Sequence, residues 1–157
     1  LNGAKYVVGF DFDHGALHKA VSNLSKVQIN NFLPLFFDAK NPSVNMGWGQ
    51  KERFGFIERA KDVDVLLALA FEHHLVIANN IPILNFVEWI ISISKRGIVE
   101  FVPKNDGAVK ELLKSREDIF IDYSYKSFKS AFLKYAKIIK ETTISKSGRI
   151  LLEYDAR

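Results

Sequence analysis

The chain lacks cysteine altogether and contains few prolines and glycines. Its 157 residues include no Cys, 4 Pro and 9 Gly. The absence of cysteine excludes a disulfide-bonded scaffold and any zinc or iron–sulfur site that needs thiolate ligands. The scarcity of Pro and Gly, together with 13% aromatic residues, excludes a low-complexity or disordered linker. The length is that of one ordinary folded domain.

Long hydrophobic stretches are missing as well. The longest purely apolar run is Val65–Phe71, far shorter than the ~20 residues that a membrane-spanning helix needs. No charged segment followed by an apolar one marks a signal peptide. We therefore predict a cytoplasmic protein without a membrane span. The sequence begins at Leu1 without an initiator methionine, from which we predict that an N-terminal part is missing.

What the sequence does contain is an alternation of short apolar runs with amphipathic segments. Four runs predict strands, beginning at Tyr6, Phe32, Val63 and Ile98. The most apolar of them, Val63–Phe71, predicts a central strand, and helical spacing of apolar residues predicts helices between and after the runs. Residues 138–145 and 149–154 alternate around a Lys-Ser-Gly turn, which predicts an antiparallel hairpin. We predict an α/β fold with a mostly parallel sheet and right-handed crossovers.

Polar side chains follow three of the predicted strands. Asp11 and Asp13 end the first, Asp38 ends the second, and Glu72-His73-His74 end the third. Ligands of open α/β sheets bind beyond the carboxyl ends of the strands, so we expect a site there. Glu100 lies inside the fourth run. A buried carboxylate is costly unless it is paired, so Glu100 either pairs with Arg96 or a Lys or faces the pocket.

A long connection, residues 40–62, precedes the third strand, and Glu52–Ala60 within it predicts a short helix. Long connections often carry functional residues. Trp48, between two glycines, is a candidate stacking platform, and Arg53 or Arg59 could hold an anionic substrate. The alternative is that two Glu-Arg pairs in this segment form a salt-bridged surface helix.

These segments resemble a class I S-adenosylmethionine-dependent methyltransferase. The likeness rests on VVGFDFDHGAL, LPLFFDA, DVLLALAFEHHL, GIVEFVPK and the terminal hairpin. GWGQKERFGFIERAKDVDVLLALAFEHHLVIANN, together with EFVPKNDGAVKELLKSREDIFIDY, is similar to a bacterial subgroup related to nodulation-type methyltransferases. The resemblance implies a Rossmann-like sheet in a single domain over residues 1–157. No segment matches the family's first strand and Gly-rich loop, so we expect a fragment that binds the cofactor weakly.

The resemblance also implies site residues for S-adenosylmethionine. Asp11 matches the residue that binds both ribose hydroxyls, a task that suits the two acceptor oxygens of a carboxylate. Phe12 matches a position beside the adenine ring, and Asp38 matches the residue that contacts the adenine amino group. Phe71 belongs to the segment that lies under the cofactor.

The same resemblance implies that the predicted catalytic residues lie beside the methyl acceptor. These residues are Glu72, His73 and His74. One of the two histidines is the favoured base, while capping, cofactor-packing and metal-ligand roles stay open; we expect no resident metal. The predicted acceptor is a small molecule or saccharide rather than RNA. The gap left in the sheet by the missing strand could also support a homo-oligomer.

Two further functions fit the sequence. One is a binding module that keeps the methyltransferase-like fold without turnover, since a fold does not fix a function. The other is a magnesium-dependent phosphatase, in which Asp11 would be the nucleophile and Asp13 the general acid. His14-Gly15-Ala16, which follows the two aspartates, departs from the pattern of that phosphatase family.

Overall fold

The computed structural model describes residues 3–27, 29–61 and 63–157. The chain divides into two compact units, Leu1–Ser43 and Val44–Arg157. Each unit combines strands with helices, so the predicted α/β class is confirmed. The prediction of one domain over residues 1–157 is not tested by this division and stays a prediction. Two residues named in the predictions lie outside the described residues. They are Leu1, on which the expectation of a missing N-terminus rests, and Asp62, the last residue of the long connection over residues 40–62.

The first unit is a strand–helix–strand unit. It consists of β1 (Val7–Asp11), α1 (His14–Val27) and β2 (Phe32–Phe36). The two strands are parallel, with Val7 opposite Phe32 and Asp11 opposite Phe36, as the alternation of strand and helix predicts. Among the residues described in this unit none is fully buried, and many of the large apolar side chains stay accessible to solvent.

The second unit carries the hydrophobic core. After a single 3-10 turn at Trp48–Gln50 it contains α2 (Phe56–Ala60), β3 (Leu66–Ala68), α3 (Glu72–Val76), α4 (Ile83–Ile93), β4 (Arg96–Phe101), α5 (Gly107–Leu113), α6 (Tyr125–Leu133), β5 (Lys137–Thr143) and β6 (Ile150–Asp155). The sheet order is β3-β4-β6-β5. β3 is parallel to β4, and β6 is antiparallel to both β4 and β5. The predicted terminal hairpin is confirmed.

The strand β3 differs from its prediction. Only Leu66–Ala68 of the predicted run Val63–Phe71 is a strand, and within this sheet it is an edge strand rather than a central one. Ala68 is buried, whereas Leu67 and Leu69 on either side of it are exposed. The apolar composition predicted burial of both faces, but in the part of the chain that the structure describes only one face is covered. The predicted homo-oligomer, formed through the gap in the sheet, stays a prediction.

Helices α4 and α6 supply most of the aromatic packing of the core. Phe128 and Phe132, one turn apart on α6, are fully buried, and their ring centroids lie 5.1 Å apart. Phe128 also approaches Phe101 of β4 at 5.3 Å. Ser124 precedes the helix as its N-cap, and its hydroxyl accepts a hydrogen bond from the Ser127 amide. No helix in the described ranges is long and apolar enough to cross a membrane.

Gly97 allows β3, β4 and β6 to approach one another. A Cβ at this position would lie 2.6 Å from the Leu66 carbonyl oxygen and 2.8 Å from the Tyr154 ring. We expect Gly97→Ala to lower the free energy of unfolding by about 1–3 kcal/mol, because overpacking forces backbone shifts. Urea denaturation measures the effect. Gly107→Ala is the control: its Cβ would meet nothing within 4 Å, so equal losses in the two variants would contradict the steric explanation.

Candidate functional site

Asp11 and Asp38 lie at the same edge of the first sheet. Asp11 is the last residue of β1, and Asp38 follows the end of β2 by two residues. The backbone stays paired at this point, because the Phe37 amide donates to the Asp11 carbonyl oxygen at 2.9 Å. Asp11 is exposed and Asp38 is partly exposed. The two carboxylates therefore follow adjacent ends of parallel strands, and their sharing of a site stays a prediction.

Backbone amides fix the direction of the carboxylates at this edge. Asp11 Oδ1 accepts a hydrogen bond from the Asp13 amide at 2.9 Å. Asp13 Oδ1 accepts from the Gly15 amide at 2.6 Å and the Ala16 amide at 3.2 Å, so Asp13 caps the start of α1. The Asp11 Oδ2 atom receives no hydrogen bond from the residues described here. One oxygen of Asp11 is thus oriented by the turn, while the other keeps its acceptor capacity free of the described residues.

Phe12, the residue after Asp11, has an aromatic ring that is accessible to solvent. Phe12 is 66% exposed. Phe37, which follows β2, packs on Phe10 of β1 with ring centroids 5.2 Å apart. The residues at this edge of the first unit therefore include an exposed aromatic ring as well as two carboxylates.

The carboxyl end of β3, in the second unit, has an unusual backbone. Ala70 has φ +48°, a left-handed conformation that is uncommon for residues other than glycine. Its amide donates to Glu100 Oε2 at 2.8 Å. Such strained residues are concentrated at functional sites. The next residue, Phe71, is half-buried and its ring lies 6.2 Å from Phe86 and 6.4 Å from Trp89.

Glu100 belongs to a buried ion-pair network around Arg149. The Arg149 guanidinium donates to Glu100 Oε1 at 3.1 Å and forms two bonds of 2.8 Å to the Asp106 carboxylate. Ser147 Oγ donates to Asp106 Oδ2 at 2.5 Å. The hydrogen bonds from Arg149 and Ser147 hold the pKa of Asp106 well below its usual range. The sequence left two alternatives for Glu100, an ion pair or a position that faces the pocket. The structure shows an ion pair, but its partner is Arg149 rather than Arg96 or a lysine.

The three predicted catalytic residues open the short helix α3, which the sequence did not predict. Glu72 and His73 are buried, with 0% and 1% exposure, whereas His74 is exposed. The rings of the two histidines lie 4.3 Å apart. Burial, together with a smaller effect of the nearby His74, lowers the pKa of His73 to about 4. Only His74 can contact a ligand from solvent in this arrangement, and the catalytic assignment of all three residues stays a prediction.

Trp48 stands out on the surface of the second unit. Its side chain is 89% exposed. It is flanked by Gly47 at φ +85° and Gly49 at φ +61°, a conformation that glycine adopts without steric cost. A backbone bridge between Met46 and Arg53 closes the loop, with the Met46 amide donating to the Arg53 carbonyl oxygen at 2.9 Å. The loop therefore presents an indole ring on a defined backbone.

The predicted helix over Glu52–Ala60 is shorter in the structure, where α2 begins at Phe56. Arg53 precedes the helix and Arg59 lies on it, and both are exposed. Arg59 Nε donates to the Gly55 carbonyl oxygen at 3.4 Å. The predicted substrate-binding residues Trp48, Arg53 and Arg59 thus belong to one surface segment of the second unit, and their role stays a prediction.

Comparison with solved structures connects this geometry to a known fold. The PH0226 protein from Pyrococcus horikoshii OT3 matches with a TM-score of 0.62 and 14% identity, over 97% of this chain and 72% of that one. WbdD matches with a TM-score of 0.54 and 16% identity, over 99% of this chain and 31% of that one. The fold is methyltransferase-like. At these identities the likeness concerns the fold alone.

A relative in sequence is the nodulation protein NoeA of Rhizobium meliloti (strain 1021). The two are 46% identical over 154 residues, which is 98% of this chain and 32% of NoeA. The chain therefore spans about a third of the length of that relative. No family model matches the sequence.

Proposed function

We propose that this chain is part of an S-adenosylmethionine-dependent methyltransferase, in which Asp11 and Asp38 hold the adenosine half of the cofactor. The observation that carries the proposal is the pair of carboxylates at adjacent strand ends of a methyltransferase-like fold. Since the chain covers only 32% of NoeA, the activity of a whole protein that contains it is part of the same proposal.

The residues of the first unit fit an adenosine group. A carboxylate offers two acceptor oxygens to the vicinal hydroxyls of a ribose, and Asp11 is exposed with one oxygen that receives no hydrogen bond from the described residues. Asp38 can accept a hydrogen bond from the exocyclic amine of adenine. The exposed ring of Phe12 offers a surface on which the base can stack. The cofactor role of Phe71, which belongs to the second unit, stays a prediction from the resemblance.

The proposed reaction needs few protein groups beyond orientation and a base. The cofactor supplies an activated methyl group, and positioning of the acceptor for in-line attack accounts for much of the rate. An acceptor that is a poor nucleophile also needs a group that removes its proton. We assign this role to His74, because it is the exposed member of the three residues that open α3. Glu72 and His73 have no access to solvent.

For the acceptor we propose a small molecule or saccharide that contacts Trp48. The exposed indole can lie against the apolar face of a sugar ring. Arg53 and Arg59, in the same surface segment, are suited to an anionic group on the acceptor because a guanidinium donates two parallel hydrogen bonds. The fixed backbone of the loop supports this role, since a preorganised platform loses little conformational entropy on binding.

The geometry gives less support to the phosphatase alternative. That chemistry requires the second aspartate to act as a general acid, whereas Asp13 Oδ1 accepts hydrogen bonds from two amides at the start of α1. In the described ranges no group of three or more His, Cys, Asp or Glu side chains is arranged to hold a metal ion. We therefore base the proposal on Asp11 and Asp38 as ligands of a nucleoside.

The test is titration of the isotope-labelled chain with S-adenosylhomocysteine, the methylation product, followed by amide chemical shifts. We expect shifts at Asp11, Phe12 and Asp38. Adenosine alone should cause nearly the same shifts, because no segment of the sequence matches the Gly-rich loop of the family. Asp11→Ala should abolish them at equal ligand concentration, since the ribose loses its acceptor. Asp122→Ala, an exposed site in the second unit, is the matched control.

Two results would contradict the proposal: no shift at the strand ends with either ligand, or binding that survives Asp11→Ala unchanged. Transfer of a labelled methyl group by a whole protein that contains this chain separates an enzyme from a binding module. A module would bind the nucleoside but leave every candidate acceptor unlabelled.

A further inference from the structure

Three buried polar contacts meet where α3 begins and β4 ends. Glu72 Oε1 accepts a hydrogen bond from the Val102 amide at 3.0 Å. The Tyr123 hydroxyl oxygen lies 2.5 Å from the same Glu72 oxygen and 2.6 Å from the Val102 carbonyl oxygen. All three residues are buried. Both distances from Tyr123 are those of O–H···O hydrogen bonds.

The hydrogens available to these contacts do not suffice if Glu72 is ionised. The Val102 amide supplies one hydrogen and the Tyr123 hydroxyl supplies one. Tyr123, however, faces two oxygens that are both acceptors when Glu72 is a carboxylate. One of its two short contacts would then join two oxygens with no hydrogen between them, which is repulsive. A third hydrogen is required, and the Glu72 carboxyl is the group that can carry it.

We propose that Glu72 is a neutral carboxylic acid in the folded protein, and that its proton completes a relay from Glu72 Oε1 to Tyr123 and from Tyr123 to the Val102 carbonyl oxygen. Every contact then has one hydrogen, because Oε1 donates to Tyr123 while it accepts from the Val102 amide. The relay joins the first residue of α3 to the residue that follows β4, and it exists only while the proton is bound.

The second oxygen of Glu72 supports the neutral form. Glu72 Oε2 is buried and has no hydrogen-bond partner among the described residues. An ionised carboxylate with one bare oxygen in the core is far more costly than the carbonyl oxygen of a neutral acid. Burial, the largest cause, raises the pKa of Glu72 to about 8.

The charged groups nearby do not neutralise an ionised Glu72. Glu100 on β4 is negative and is itself one of the causes that raise the Glu72 pKa. Arg149 is bound to Glu100 and Asp106. His73, beside Glu72 on α3, stays neutral because burial lowers its pKa to about 4. The Tyr123 hydroxyl stays protonated, since burial raises its pKa.

The relay makes the junction between α3 and β4 sensitive to pH. The folded-state pKa of Glu72, about 8, lies above its ordinary value of 4.5. The stability that the proton on Glu72 contributes is therefore fully present when the pH lies below the ordinary pKa of a glutamate. It is lost as the pH rises through about 8. At higher pH the ionised carboxylate opposes Tyr123, so the contact that fixes the start of α3 is weakened.

The test combines infrared spectroscopy with proton release on unfolding. The folded protein at neutral pH should show a carboxylic-acid C=O band that is missing in Glu72→Gln. Unfolding at about pH 7 should release about one more proton from the unmodified protein than from Glu72→Gln, because the unfolded Glu72 is ionised. Tyr135 and Glu88 form a similar but exposed pair, so Glu88→Gln should change neither measurement.

Tyr123→Phe is a second variant in case Glu72→Gln does not fold. It removes the hydroxyl but leaves Glu72 buried, so the carboxylic-acid band should persist and shift in frequency. The absence of that band from the folded protein, or equal proton release from the protein and Glu72→Gln, would overturn the proposal. Either result would mean that Glu72 carries its charge in the core.

Discussion

Arg149→Ala should lower the free energy of unfolding by about 3 kcal/mol, because removal of one partner leaves buried charges uncompensated. Arg149 makes hydrogen bonds to Glu100 and Asp106, both of which are buried. The expected loss lies at the low end of the range for buried pairs, since the Arg149 side chain is 27% exposed and water partly replaces it. The strained Ala70, held by Glu100, should loosen in the same variant.

Equilibrium unfolding in urea measures the effect of this substitution. The control is Arg157→Ala, which removes a guanidinium that also bonds a carboxylate, that of Asp155, but is 59% exposed. We expect a loss below about 1 kcal/mol for the control. Addition of Glu100→Gln and Asp106→Asn to Arg149→Ala should recover part of the stability. Similar losses for the two arginines would show that burial of the carboxylates is not the cause.

Phe128→Ala should cost about 3–5 kcal/mol, the range for the truncation of a buried aromatic residue. The Phe128 ring is fully buried and approaches Phe86, Phe101, Tyr125 and Phe132. Its loss leaves a cavity that α4, α6 and β4 cannot fill without moving. Calorimetric unfolding measures the change in stability.

The matched control for Phe128 is Phe54, a phenylalanine of the same unit that is 61% exposed. Phe54→Ala should change the free energy of unfolding by no more than about 0.5 kcal/mol, as for most surface substitutions. Phe128→Leu, which keeps most of the volume, should fall between the two. If Phe128→Ala lowered the free energy of unfolding as little as Phe54→Ala, the expectation of a cavity would be contradicted. The core would then have to collapse around the missing ring.

The sequence predicted the elements whose signal is local. The terminal hairpin and the parallel pairing of β1 with β2 follow from alternation and from the order of strand and helix, and both are confirmed. The extent and position of β3 were predicted wrongly, because an apolar run shows only that burial is favourable. Which face is covered depends on the neighbouring strands, and these are set by topology rather than by the run itself.

The positions of the candidate carboxylates were predictable to the same degree, whereas their role stays a prediction. Asp11 and Asp38 share an edge because parallel strands place their carboxyl ends together, a rule that needs only the strand order. The relay from Glu72 to Tyr123 and the pair of Glu100 with Arg149 join residues 51 and 49 positions apart. No local pattern encodes such contacts. The one available signal was a glutamate within an apolar strand, which required a partner but did not identify it.

The first unit described above, with its accessible apolar side chains, has a thermodynamic consequence for ligand binding. Segments with few buried apolar contacts open at a small free-energy cost, well below that of global unfolding. A nucleoside that binds Asp11 and Asp38 selects the closed conformations of this unit, and its apparent affinity is reduced by the fraction of molecules that are open. Under the proposed function, the dissociation constant of the nucleoside would therefore also measure the local folding equilibrium of β1, α1 and β2.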